Sequence, residues 1–384
     1  MHLQLKNIGQ IKDADIRFGD LTVFVGPQAT GKSITLQFLK LLLDMGQVQE
    51  EMTRYGLDWS GQLPDFFDIY FGEGMRSIWR EGQSQVVWRE KAVGLPSLIE
   101  RIPRRKVESL FYIPAQRVLT LRDGWPRPFT DYKPGDPFSV REFSEKVRVF
   151  VEQEFSASES LFPQDRRLKT EFRGLLEQHV FGKFGLRIDK VHSQKRLVLG
   201  NGDQPLPYMV WSAGQREFVP LLLGLYWLMP SAGPTRRGKI QWIVLEELEM
   251  GLHARAIEVL LLMVFELVTR GYRLCLSTHS PQVLEAIWAL RHLRRNQASP
   301  QALLRVFEAP ETQQMRILAE TVMTKKVKVY HFNPANGETK DISELDVDDE
   351  EAGEDGWGGL SEFSGRVNTA VAMAVANSRR TRGV

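Results

Sequence analysis

Gly26-Pro-Gln-Ala-Thr-Gly31-Lys32-Ser33, GPQATGKS, decides how this chain is read. It fits G-x-x-x-x-G-K-[ST], and its surroundings supply the context that motif needs. A uniformly apolar stretch, Leu21–Val25, precedes it and a helical pattern, Ile34–Leu43, follows. In such a loop the backbone N–H groups of Gly26, Gln28, Ala29, Thr30 and Gly31 wrap phosphate oxygens, with Pro27 shaping the turn. The helix N-terminus at Lys32, Ser33 and Ile34 adds its positive end. Lys32 then reaches the outer phosphates and the Ser33 hydroxyl ligates Mg²⁺. The plain alternative is a structural glycine turn.

A phosphate loop needs a carboxylate at the end of another buried strand. Trp242-Ile-Val-Leu-Glu246-Glu247 provides two. Glu246 is placed to hold the metal's water shell and Glu247 to polarise an attacking water. Asp is commoner at the first position, so Glu246 departs from the usual pattern by one methylene. Acids after a strand can also simply complement a helix dipole. Ser277-Thr-His279-Ser-Pro281 follows the next apolar run, Arg273–Leu276, and a histidine there can report whether a terminal phosphate is present.

The chain has 384 residues, 42% of them apolar, enough for one large domain or two modest ones. No apolar run reaches the length of a membrane span, and the N-terminus lacks the layout of a secretory signal. With a single cysteine, Cys275, in an apolar run, the expectation is a buried thiol in a reducing cytoplasmic setting. A net charge of +2 leaves nucleic-acid contact to local patches, such as Arg101–Lys106 and Arg291–Arg295; most such clusters are solvated faces.

Elsewhere the pattern predicts strands at Leu3–Lys6, Ala14–Phe18, Leu110–Pro114, Ile240–Leu245 and Arg273–Ser277. It also predicts a hairpin of Leu186–Val191 with Lys195–Leu199, and helices over Val140–Phe155, Arg167–Phe184, Phe218–Leu228 and Ala254–Val268. Arg122–Phe138, with four prolines, reads as a loop. Seven acids between Asp346 and Asp355 precede a helical pattern over Leu360–Asn377.

Between phosphate loop and acid pair stands Trp211-Ser-Ala-Gly-Gln-Arg-Glu217. On its own it is a helix start, with Ser212 as cap. The order of phosphate loop, Ser-x-Gly-Gln turn, strand with two acids and strand with histidine resembles the ABC ATPase heads of the SMC, Rad50, RecF and OLD group. The likeness covers about residues 1–45 and 205–290. It implies an α/β fold, an ABC-type P-loop ATPase head with a mixed central sheet, an antiparallel N-terminal lobe and a short helical insertion. The divisions expected are 1–120, 121–185, 186–335 and 336–384: first ATPase lobe, insertion, second lobe, and acidic linker with helix. The implied ligands are ATP and Mg²⁺, the latter held by Ser33, Glu246 and Gln116.

The resemblance also implies a head-to-tail dimer, or a homo-oligomer built of such dimers, in which Ser212, Gly214 and Gln215 of one subunit contact the phosphate held by the other's Lys32. In Phe111-Tyr-Ile-Pro-Ala-Gln116-Arg117, Gln116 is the candidate metal or water sensor and Arg117 a candidate phosphate contact; a plain strand-to-loop turn is the alternative. Lys32, Glu247 and His279 are the implied catalytic set. Nothing in the chain resembles a nuclease. The short middle insert, the Ile113-Pro-Ala-Gln-Arg117 stretch and the tail with its helix most resemble the ATPase subunit of a PARIS-like or Septu-like antiphage system, which implies gating of a separate nuclease or effector. A RecF-like repair ATPase that binds duplex DNA directly is the other reading.

Overall fold

The computed structural model describes residues 1–100, 107–155, 160–191, 194–201 and 204–344. Its first part holds the hairpin β1 (His2–Ile8) and β2 (Ile11–Arg17), strand β3 (Leu21–Val25) and helix α1 (Lys32–Arg54). Next come α2 (Leu63–Tyr70), β4 (Gln85–Trp88), β5 (Lys91–Ala92), α3 (Leu95–Glu100) and β6 (Leu110–Ile113). A small hairpin of β7 (Leu121–Arg122) and β8 (Trp125–Pro126) leads to α4 (Phe138–Glu154), β9 (Ser160–Phe162), α5 (Thr170–Leu176), β10 (Gly185–Val191), β11 (Gln194–Asn201) and β12 (Gln204–Leu206). The remainder is α6 (Ala213–Leu228), β13 (Trp242–Glu246), α7 (Ala254–Thr269), β14 (Arg273–Thr278), α8 (Pro281–Arg295), α9 (Pro300–Val306), α10 (Gln313–Met323), β15 (Val327–Phe332) and β16 (Thr339–Asp341).

The fold is α/β with a mixed six-stranded central sheet, ordered β16-β15-β3-β14-β13-β6. Its four pairings from β15 to β6 are parallel, and only β16 runs antiparallel. Parallel strands buried on both faces need apolar residues at every position, as Leu21–Val25 has. Their side chains alternate between two cores. Leu21, Val23 and Val25 join Ile243, Leu245, Leu274 and Leu276 on the side of α6 and α7. Phe24, Trp242, Val244 and Cys275 face the other side, with α1 and the antiparallel sheet β2-β1-β4-β5. Cys275 is a buried free thiol, as its run implied, and burial raises its pKa.

Two expectations change in detail. The helix after the phosphate loop continues to Arg54 through a kink at Asp44. There Asp44 accepts hydrogen bonds from the Ser109 and Leu110 amides, while buried Lys40 bonds Asp44, Glu108 and the Leu110 carbonyl. This buried charge cluster fastens α1 to the start of β6, and removing one partner would leave an uncompensated charge. The helix expected over Arg167–Phe184 is α5 plus one wide turn, Glu177–Phe181. Beside it lies a second antiparallel sheet, β12-β11-β10-β9, of which the sequence showed only the central hairpin. Strand β9 is three residues long, too short for alternation to show. The Arg101–Lys106 cluster, the acidic run and the Leu360–Asn377 pattern lie outside the described residues.

Candidate active site

The central sheet places the motif residues together. The Gly26–Ser33 loop leaves the carboxyl end of β3, His279 follows β14, Glu246 ends β13 and Gln116 follows β6. These four strands are consecutive neighbours. Ligands of open α/β sheets bind outside the carboxyl ends of their strands.

In the loop, Gly26, Ala29 and Gly31 all have positive φ, so the chain curls and its amides face inward. Gly31 is obligatory, because a Cβ there would lie 2.4 Å from Ile11 Cγ1. Pro27, Gln28 and Ala29 are exposed on the rim, while Thr30 is buried and its hydroxyl donates to the Pro27 carbonyl at 2.9 Å. Ile34 is buried and anchors the first turn of α1 in the core. Lys32 Nζ donates to the carbonyls of Gly26 (2.7 Å) and Pro27 (2.6 Å), folded back across its own loop. Burial pushes its ammonium down to about 8, against the pull of Glu247, Glu249 and Glu246. A bound polyphosphate would restore the charged form. Nucleotide affinity should therefore be flat below pH 8 and fall by up to about tenfold per unit above it. Titration calorimetry between pH 7 and 9 checks this; a flat profile throughout would contradict it.

Glu246 is buried at 2% exposure. Its Oε2 accepts from the Ala115 amide at 3.2 Å, and Oε1 has no hydrogen-bond partner at bonding distance. Burial raises its pKa, opposed by the Ser33 hydroxyl, the Ala115 amide and the Tyr112 hydroxyl. An orphaned, buried carboxylate oxygen beside a serine hydroxyl is the oxygen donor set that a hard divalent cation takes. The residues present thus fit Mg²⁺.

Glu247 stands at φ 43°, an uncommon value outside glycine. Its Oε1 lies 3.2 Å from His279 Nε2, and that hydrogen bond holds the carboxyl below the usual range despite partial burial. The turn holding His279 is fixed by Glu249, whose Oε1 accepts from the Thr278 hydroxyl (2.8 Å) and the His279 amide (2.6 Å). The sequence reading assigned Glu249 no role. Its place two residues beyond an acid pair, just before Gly251, was the available signal.

Gln116 is exposed at the mouth of the site. Arg117 corrects its sequence assignment: it is fully buried and cannot reach a ligand phosphate. Its guanidinium instead donates to the carbonyls of Glu246 (2.9 Å), Glu247 (3.0 Å) and Glu217 (3.3 Å), and pairs with the Glu217 carboxylate at 3.5 Å. A turn after a buried strand leaves a long side chain two directions, and the unsatisfied carbonyls of the neighbouring strand end won. Arg117→Met should cost about 3–5 kcal/mol of stability, since it strands a buried carboxylate. Adding Glu217→Gln should recover part of that in urea unfolding; no recovery would refute the pairing.

Ser212 caps α6 through a reciprocal box: its Oγ accepts from Gln215 N (3.2 Å), and Gln215 Oε1 accepts from Ser212 N (2.9 Å). Ser212 and Ala213 are exposed, and Gly214 and Gln215 partly so. A Cβ at Gly214 would sit 2.8 Å from the Gly251 carbonyl, so this helix start lies directly against the turn that follows the acid pair. Among the described residues no hydrogen bond or ion pair joins Ser212–Gln215 to the Gly26–Ser33 loop of the same chain.

Residues 104–285 match the family described as "AAA domain, putative AbiEii toxin, Type IV TA system". The match spans somewhat less than half of the chain. No curated protein matches. Among solved structures, an SMC head bound to the C-terminal winged-helix domain of ScpA is similar at 11% identity and a TM-score of 0.41. That likeness covers 89% of this chain and 96% of the other. The SMC head domain from Thermotoga maritima is similar at 13% identity, over 89% and 97%, with a TM-score of 0.34. An ATP-binding cassette dimer bound to ADP and Pi is similar at 11%, over 73% and 89%, with a TM-score of 0.31. No described helix is long and apolar enough to cross a membrane.

Proposed function

We propose that this chain is an ABC-type ATPase that binds and hydrolyses Mg-ATP between two copies arranged head to tail. The observation that carries the reading is the convergence of the Lys32 loop, Glu246, Glu247 and His279 at the carboxyl ends of three adjacent parallel strands. In this reading the loop amides and Lys32 bind the phosphates, and Glu247 takes a proton from the attacking water. His279 orients Glu247 and contacts the outermost phosphate. Ser33 and Glu246 would hold Mg²⁺, with Gln116 near it, and the ion supplies neutralising charge on phosphate oxygens. Ser212, Gly214 and Gln215 act on the site of the second copy, where the hydroxyl and amides of a helix N-terminus suit an anion.

The biological role we infer is the sensor or regulatory subunit of a two-component antiphage system, with nucleotide state gating a separate nuclease or effector. What supports it is the sequence likeness to that group and a matched family whose description names a toxin–antitoxin system. A native pull-down of the tagged chain, with ATP turnover measured on the product, tests both levels. Turnover with a co-purifying effector is expected. Turnover by the lone chain that rises with duplex DNA would favour the repair reading, and absence of ATP binding would overturn the site itself.

A further inference from the structure

At the far end of α8 from His279 the structure has a second charged feature. The last turn of α8 faces the connection from α10 to β15 across an open groove of about 690 Å³. Arg291, Arg294 and Arg295 line one wall, and Lys325, Lys326 and Lys328 the other. Cations in the last turn of a helix complement its dipole, which accounts for the arginines. It does not account for three lysines brought to the same groove by a different element.

The carboxylates that meet these cations come from the end of the described chain. Asp341 Oδ2 lies 2.7 Å from Lys328 Nζ, and Glu344 Oε2 lies 3.0 Å from Arg291 Nη2. Glu344 is itself on the rim of the groove and is the last residue described. Two positions later the sequence begins its acidic run: Asp346, Asp348, Asp349, Glu350, Glu351, Glu354 and Asp355.

We infer that this basic groove is a docking site for the chain's own acidic segment, residues 346–355. Among the described residues lining the groove the charged ones are three arginines, three lysines and one carboxylate, Glu344, and the segment's seven acids complement that basic lining. Two residues of chain span at most about 7 Å, so the run starts within reach of the groove from its anchor at Glu344. A short tether gives an effective concentration in the millimolar range, which a free polyanion must exceed to displace it. The contact is one of exposed charges, so salt weakens it.

Zero-length carbodiimide coupling of the full chain, on an equal mixture of isotopically light and heavy protein, tests this. Links from residues 346–355 to Lys325, Lys326 or Lys328 within single chains are expected. Their yield should fall about tenfold between about 50 mM and about 0.5 M salt. Yields no higher than those to lysines on other elements, such as Lys133 and Lys183, would overturn the inference. So would links found only between light and heavy chains, which would assign the groove to a second copy. Loss of the links on adding one equivalent of duplex DNA would assign it to nucleic acid instead. The inference does not depend on the ATPase reading, since the coupling is measured without nucleotide.

Discussion

Glu247→Gln is expected to lower ATP turnover by about 10²–10⁴-fold while leaving nucleotide binding intact. The magnitude is that of losing a positioned general base. Glutamine keeps the shape and can hold the 3.2 Å contact to His279, so the turn at φ 43° has no new reason to move. What it removes is the basicity. In the parent chain the hydrogen bond from His279 favours the ionised form of Glu247 and lowers its pKa. Because its pKa is lowered, the base is fully available above the usual carboxylate range and is lost only as pH falls below it. The pH–rate profile should therefore show no acid limb from Glu247 near neutrality. Lys32→Ala is the contrasting change: it removes the ammonium bound to the Gly26 and Pro27 carbonyls and should abolish binding as well as turnover. Equilibrium binding of a labelled nucleotide, beside steady-state phosphate release, separates the two. A Glu247→Gln chain that turns over at the parent rate would remove Glu247 from the mechanism.

The features legible in the sequence are those whose chemistry is local. GPQATGKS needs a strand before it and a helix after it, and both are there because Leu21–Val25 is apolar throughout and Ile34 starts a helical stripe. WIVLEE ends in acids because that strand end faces the site. The features that were not legible depend on pairings across long separations. Arg117 reads as a candidate phosphate contact or part of a plain turn until β13 and α6 place three carbonyls around it. Lys40, Asp44, Glu108 and Glu142 carry no local motif, yet they converge where α1 crosses the start of β6. Glu249 looks like one more acid in an acidic turn, and only the return of β14 beside β13 shows that it holds the histidine loop. Charged residues can be buried only with partners, and no local pattern in one sequence reports a partner a hundred residues away.

Ser212→Arg should leave ATP binding unchanged and reduce turnover by about 10²-fold or more, the scale of losing a donor to a developing anion. Within its own chain Ser212 caps α6, so the change also costs about 1 kcal/mol of helix stability, which a melting curve will register without unfolding the protein. A cap alone, however, gives no reason for lost turnover, because the Lys32 loop of the same chain makes no hydrogen bond to this turn. The decisive measurement mixes two inactive chains. In a head-to-tail pair of Ser212→Arg with Lys32→Ala, one site combines both lesions and the other combines two intact halves. Random pairing then restores up to about a quarter of the parent turnover, half the dimers having one of two sites intact. If Ser212 served only its own chain, the mixture would stay as inactive as its components. Recovery on mixing would thus assign the exposed Ser212 turn to the partner's phosphate. Failure, with both chains folded and the Ser212→Arg chain still binding ATP, would reduce the turn to a helix cap.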